Sequence, residues 1–177
     1  MRKLKIDELT RISTEEFKNS RKTPVVVVLD NIRSLHNVGS IFRTSDALRL
    51  EAVYLCGITS TPPHKEIHKT ALGAEDAMQW HYFERTIDAI EKLKKEQYFL
   101  IGVEQVEGST DLRAFRIDTT QKYAIILGHE VRGIDQKVID RCDLCLEIPQ
   151  FGTKHSFNVS VSGGIVLWEI AKPWMTE

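Results

Sequence analysis

Short runs of β-branched and aliphatic residues alternate along this chain with longer segments whose apolar positions recur every three or four residues. Residues 25–29 form an unbroken aliphatic run, the pattern of a strand buried on both faces. Residues 52–56, 78–83, 98–103, 123–127 and 144–148 read as five further strands. Between them Val38, Ile41, Phe42, Ser45 and Leu48 share one helical face over 37–48. Further helices are predicted over 65–71, 86–95, 135–141 and 160–171, and the capping-box spacing of Ser13 and Glu16 opens another over 14–21. Strands alternating with helices predict an α/β fold: a mostly parallel six-stranded sheet flanked by helices. Ligands of such sheets bind beyond the carboxyl ends of the strands.

Composition narrows the setting. The length of 177 residues suits one domain with a full core, preceded by an arm over 1–23. Residues 1–24 carry seven basic side chains against four acidic ones, whereas the whole chain has a net charge of −1. Such an arm can lie along phosphates or form a solvated helix face. Three cysteines cannot complete a disulfide set, which predicts a reducing cytoplasm. No apolar run is long enough to span a bilayer, and the first residues lack a signal-peptide core, so no membrane partner is expected. Cys142 and Cys145 have C-x-x-C spacing without a second pair, so no metal site is expected.

Three strand ends carry the unusual chemistry. After 25–29 comes DNIRSLHNVGSIFRTSDAL, with Asn37, Gly39 and Ser40 near a helix start and Arg43 further along it. Gly39 admits a close neighbour to the backbone. After 123–127 comes GHEVRGID, where Gly128 and Gly133 bracket His129, Glu130 and Arg132. It is neither a Walker loop nor a G-x-G-x-x-G turn. After 144–148 comes a polar loop, then Ser156, Phe157 and Asn158 at the mouth of a helix rich in small residues.

Together, in this order, the three segments resemble the motifs of the SpoU/TrmH branch of the SPOUT RNA methyltransferases. LDNIRSLHNVGSIFRTSDAL matches the first motif, ILGHEVRGID the second and IPQFGTKHSFNVSVSGGIVLWE the third; the likeness runs over about residues 24–171. Phe157 stands where the family more often has Leu, and Val131 where Gly often follows the Glu.

The resemblance implies a catalytic domain over 24–177 with a C-terminal trefoil knot, acting as a homodimer. It implies methyl transfer from S-adenosyl-L-methionine to a ribose 2′-hydroxyl of RNA, tRNA ahead of rRNA. The rival is a knotted RNA-binding module without turnover. The catalytic set it implies is Arg43, Asn37, Glu130, Ser156 and Asn158. The adenosine would be cradled by Val103, Leu127, Gly128, Ile148 and Phe157. The sulfonium methyl is already activated, so the difficulty lies with the hydroxyl. A guanidinium is a poor base, its pKa above ~12, so Arg43 is assigned to steadying the nascent alkoxide and the adjacent phosphate. Ile165, Leu167, Trp168 and Ile170 offer an interface face on the last helix.

Overall fold

The computed structural model describes residues 1–5, 8, 9 and 11–175; Asp7 of the basic arm and residues 176 and 177 lie outside them. The order of elements is α1 (Thr14–Asn19), β1 (Thr23–Asp30), α2 (Leu35–Ala47), β2 (Leu50–Cys56), α3 (Lys65–Ala71), α4 (Ala74–Ala77) and β3 (Trp80–Phe83). Then come α5 (Thr86–Lys95), β4 (Tyr98–Val103), β5 (Thr110–Asp111), β6 (Lys122–Leu127), α6 (Gln136–Ile139), β7 (Leu144–Glu147) and α7 (Val159–Ala171). A 3-10 turn over Lys172–Trp174 follows α7.

The strands form one sheet in the order β3-β2-β1-β6-β4-β7-β5, and every pairing is parallel. Seven strands replace the expected six. The addition is the two-residue β5, which pairs Thr110 with Leu146 and Asp111 with Glu147 on an outer edge. Two residues show no alternation, so periodicity cannot announce such a strand.

The pleat divides β1 between two cores. Val25, Val27 and Leu29 face the side covered by α2, α3 and α7, while Val26 and Val28 face α5 and α6. All five are essentially buried. Burying each aliphatic side chain stabilises the fold by about 1.5–3 kcal/mol, which explains why an unbroken apolar run settles in the sheet centre. Helix α5 is amphipathic: Ala89, Ile90 and Leu93 are buried, and Lys92, Lys94 and Lys95 complement the dipole at its last turn.

In register, Leu29 pairs with Leu127, Gly102 with Ile126, and Val103 with Leu146. The carboxyl ends of β1, β6, β4 and β7 therefore open on one rim. Strand order also reverses there: β2 and β3 extend to one side of β1, while β6, β4 and β7 lie on the other.

Glycine fixes the helix packing at two points. A Cβ on Gly39 would lie 2.1 Å from Thr70 Oγ1 and 2.3 Å from the Ile67 carbonyl oxygen, so α2 touches α3 there. A Cβ on Gly163 would lie 2.9 Å from Leu127 Cδ1, which lets α7 sit down on β6. On α7, Leu167 and Ile170 are fully buried, contrary to their assignment to an interface. The exposed stripe is instead Val161, Ile165 and Trp168, at helical spacing.

Candidate active site

The first two motifs meet through one carboxylate. Helix α2 opens at Ser34, whose side chain accepts from the Asn37 amide N–H. The helix thus starts two residues earlier than expected, Asn37 is its third residue, and the Asn37 side chain is not used in capping. It reaches across the rim instead: Asn37 Nδ2 donates to Glu130 Oε1 at 3.0 Å. The same carboxylate accepts from the backbone N–H groups of Ser34 at 2.8 Å and Arg33 at 3.0 Å. Burial alone would raise the Glu130 carboxyl. The hydrogen bonds from Arg33, its own backbone, Ser34 and Asn37 outweigh burial and hold it below the usual glutamate range.

The loop carrying Glu130 is rigidly built. His129 and Gly133 exchange backbone hydrogen bonds, with His129 N–H donating at 3.1 Å and Gly133 N–H at 2.8 Å. His129 Nδ1 accepts from the Val131 amide at 3.0 Å, which assigns the ring proton to Nε2. Gly133 has φ of +68°, where L side chains are strained. At Gly128 a Cβ would stand 2.3 Å from the Ile134 nitrogen, so the loop folds directly over that residue.

Two further carboxylates tie the loop down, and sequence reasoning missed both. Glu104, just past β4, accepts from the Ile134 amide at 3.0 Å. Asp30, at the end of β1 and almost wholly buried, accepts from the Asp135 amide at 3.1 Å. Each follows an apolar strand directly, and that position was the available signal.

The third motif forms a different kind of wall. Val103, Ile148, Ser156 and Phe157 line a cavity of about 80 Å³ together with Glu104, Gln105 and Ser162. Residues 151–158 are exposed throughout. Their loop is pinned by the His155 carbonyl, which accepts from Gln105 Nε2 at 2.9 Å and Gln150 Nε2 at 3.3 Å. Asn158 caps α7: its Oδ1 accepts from the Ser160 amide at 2.9 Å and from Ser160 Oγ at 2.7 Å.

Of the residues singled out from sequence, Asn37 and Glu130 are joined directly, and Val103, Ile148, Ser156 and Phe157 share one cavity. Leu127 and Gly128 are not among its lining residues: the Leu127 side chain is buried under α7, and Gly128 packs against Gly133 and Ile134. Arg43 joins neither group: it is exposed on α2 and makes no side-chain hydrogen bond or ion pair with another described residue. Burial pushes the Cys142 thiol up to about 12.

A parallel α/β sheet whose rim gathers three loops, one locked by carboxylates and one lying over a small cavity of mixed polar and apolar lining, has counterparts among known proteins. The SpoU rRNA Methylase family model matches residues 24–168, so the chain belongs to that family. The 23S rRNA (guanosine-2′-O-)-methyltransferase RlmB of Neisseria meningitidis is 31% identical over 153 residues, covering 86% of this chain and 60% of its own length. RlmB of Pseudomonas aeruginosa is 27% identical over 158 residues, 89% of this chain and 62% of its own. The chain thus spans about three-fifths of the length of these curated relatives. Among solved structures, the AdoMet-bound rRNA methyltransferase from Sinorhizobium meliloti superposes with a TM-score of 0.80 at 24% identity, covering 91% of this chain and 61% of that one. The A. aeolicus TrmH/SpoU tRNA modifying enzyme gives a TM-score of 0.78 at 22% identity, over 90% of this chain and 81% of that one. These likenesses establish the SPOUT-type fold class.

Proposed function

We propose that this chain transfers a methyl group from S-adenosyl-L-methionine to a ribose 2′-hydroxyl of RNA, acting as a homodimer of knotted protomers in the cytoplasm. The observation that carries the reading is the Glu130 junction, which ties the first motif to the second at the rim where the third motif lines a cavity.

The cavity suits the cofactor in chemistry. Val103, Ile148 and Phe157 offer apolar walls for a flat base, and the ends of β4 and β7 offer main-chain groups for its edge. Its volume of about 80 Å³ is small beside the ~300–1,000 Å³ of usual ligand pockets, so the 151–157 loop swings outward on binding. S-adenosylmethionine would supply an activated methyl group there. Ser156 lies at the cavity wall and Asn158 retains a free Nδ2, both suited to hold polar groups beside it.

Arg43 completes the site from a second copy. The exposed Val161–Ile165–Trp168 stripe on α7 supports such a pairing, and beside it lies a groove of about 510 Å³ lined by Leu112, Arg113, Ile165 and Trp168. Helix α2 packs on α7, so a dimer through this stripe brings each Arg43 toward its neighbour. The guanidinium then steadies the alkoxide as it forms and holds the adjacent phosphate by its planar fork.

Calorimetric titration with S-adenosylmethionine, followed by mapping of new methyl groups on tRNA and 23S rRNA, tests the reading. Cofactor binding with a methyl on ribose supports it, and the mapped position names the RNA. A protein that binds RNA but not the cofactor would be the inactive module instead. A methyl on a base would overturn the assigned acceptor.

A further inference from the structure

A cavity larger than that of the candidate active site lies at the opposite end of the sheet. It encloses about 690 Å³ between the amino end of β1, the carboxyl end of α2 and the 3-10 turn after α7. Arg21, Lys22 and Arg49 line it, with Leu48, Pro173 and Trp174, and among the described residues no carboxylate does. Asp46, one turn back on α2, is the acid whose charge reaches Lys22.

The three cations are not equivalent. The Lys22 ammonium donates to the Phe17 carbonyl and to Ser20 Oγ at 3.3 Å, and it stands 3.4 Å from the centre of the Phe17 ring. It is fixed in place and supplies charge. Arg21 and Arg49 are exposed and make no side-chain hydrogen bond or ion pair with another described residue. Their forks are free for a ligand. Desolvation and then repulsion by Arg49 lower the Lys22 pKa, and the charge of Asp46 offsets them only in part.

Arg49 also sits in an unfavourable place for its side chain. Its φ is +49°, in the left-handed region after a helix end where glycine or asparagine is preferred. Trp174 makes an edge contact with Tyr123, ring centres 6.2 Å apart, and still lines the cavity. Free guanidinium forks beside an indole match the two halves of a nucleotide: forks for phosphate, an aromatic face for the base.

We propose that this cavity holds a phosphate and the adjoining base of a single-stranded segment of the RNA substrate, at a second site remote from the reacting ribose. Arg21 and Arg49 bind the phosphate, Lys22 sets the field and Trp174 stacks the base. The eight residues of β1 separate the cavity from the catalytic rim by about 26 Å, taking ~3.3 Å per residue. The cavity therefore reads RNA well away from the methylated nucleotide. The proposal rests on RNA being the substrate, but its test does not depend on methyl transfer.

The probes are a fluorescein-labelled 12-nucleotide oligouridylate and adenosine 5′-monophosphate, used with the full chain. Anisotropy is followed as a function of salt for the wild type and for Arg21→Gln, Arg49→Gly and Trp174→Phe. Each arginine variant should weaken oligonucleotide binding several-fold and reduce the salt slope by about 0.7. Trp174→Phe, which keeps a ring against Tyr123, should weaken binding with the slope unchanged. Arg49→Gly relieves the strained backbone, so its thermal midpoint should not fall, and lost binding cannot be blamed on unfolding. Calorimetry with S-adenosylmethionine should give the same affinity for all four proteins. Wild-type affinity and salt slope in both arginine variants would overturn the proposal. So would adenosine monophosphate displacing the oligonucleotide at micromolar concentration, which would make this a free-nucleotide site. If the proteins fail to bind S-adenosylmethionine yet the arginine variants lose RNA, the methyltransferase reading fails and this one stands.

Discussion

The loop after β6 and the loop after β7 open on the same rim but are built differently. From Gly128 to Asp135 the backbone is tied by three carboxylates, Glu130, Glu104 and Asp30, and closed on itself by the His129–Gly133 pair. From 151 to 158 every residue is exposed, and one carbonyl, that of His155, receives the side-chain bonds that fix the loop's position. The first loop is complete in a single chain. The second, like the Arg43 side chain, is exposed. Preorganised donors and acceptors are worth most where they need not rearrange during reaction. A covering loop that admits a ligand needs the opposite property, since low local stability is what lets it open.

The contrast is broken most severely at Arg43. Arg43→Lys keeps the charge but loses the planar fork, and should lower turnover by about 100-fold or more while leaving cofactor affinity within roughly twofold. Mixing Arg43→Lys subunits with Ser156→Ala subunits sharpens the test. If each site takes its arginine from the neighbouring copy, one site of the mixed dimer is intact and activity returns. No recovery on mixing would place Arg43 in the service of its own chain, or of none.

Stability should separate the two loops next. Gly128→Ala forces a Cβ to 2.3 Å from the Ile134 nitrogen and 2.4 Å from the Gly133 carbonyl carbon. Overpacking of that kind costs about 1–3 kcal/mol, a fall of roughly 3–10 °C in Tm for a domain of this size. Gly152→Ala meets no atom within 4 Å and should change stability by less than about 0.5 kcal/mol. Thermal melts that moved equally for both variants would erase the distinction. Amide exchange gives the dynamic version. Amides of 151–157 should exchange rapidly and slow about tenfold or more with S-adenosylmethionine, while the Ile134 amide, bonded to Glu104, barely changes. Equal slowing at both places would mean that the cofactor orders the whole rim.

The sequence made the locked loop easier to read than the open one, with errors that share a cause. The meeting of the first two motifs was legible because ordered motifs at strand ends converge in a parallel sheet, but the bond from Asn37 to Glu130 was not. The start of α2 was misplaced because Ser34 and Asn37 are both good caps, and spacing alone does not rank them. Gly39 is a point of close approach, as its lack of a side chain suggests, and the neighbour is α3. On α7, apolar residues surround the helix, so its inner and outer faces look alike in sequence. Leu167 and Ile170 therefore seemed equivalent to Ile165 and Trp168 until α2 and β6 were seen to cover one side. In each case the missing information was which surface arrives from a distant part of the chain.

The smallest effect concerns the charge on Glu130. Its carboxylate accepts from the Arg33 and Ser34 backbone N–H groups and from Asn37, among others, and its folded pKa lies below the usual glutamate value. A group with a depressed folded pKa stabilises the fold fully above its unfolded pKa, ~4.3 for glutamate. That contribution fades as pH falls through the folded value. Glu130→Gln removes the charge and turns one acceptor into a donor facing N–H groups. The wild type should exceed it by about 1–2 kcal/mol at pH 7, since hydrogen bonds to charged groups are worth ~1.5–3 kcal/mol and Glu130 is only half-buried. The gap should hold down to pH ~5 and then narrow as the wild-type carboxylate takes up its proton. Denaturant melts of both proteins between pH 3 and pH 7 measure it directly, with Gly152→Ala as a control whose gap stays near zero throughout. A gap that persisted undiminished to pH 3 would mean that shape, and not charge, holds the two motifs together.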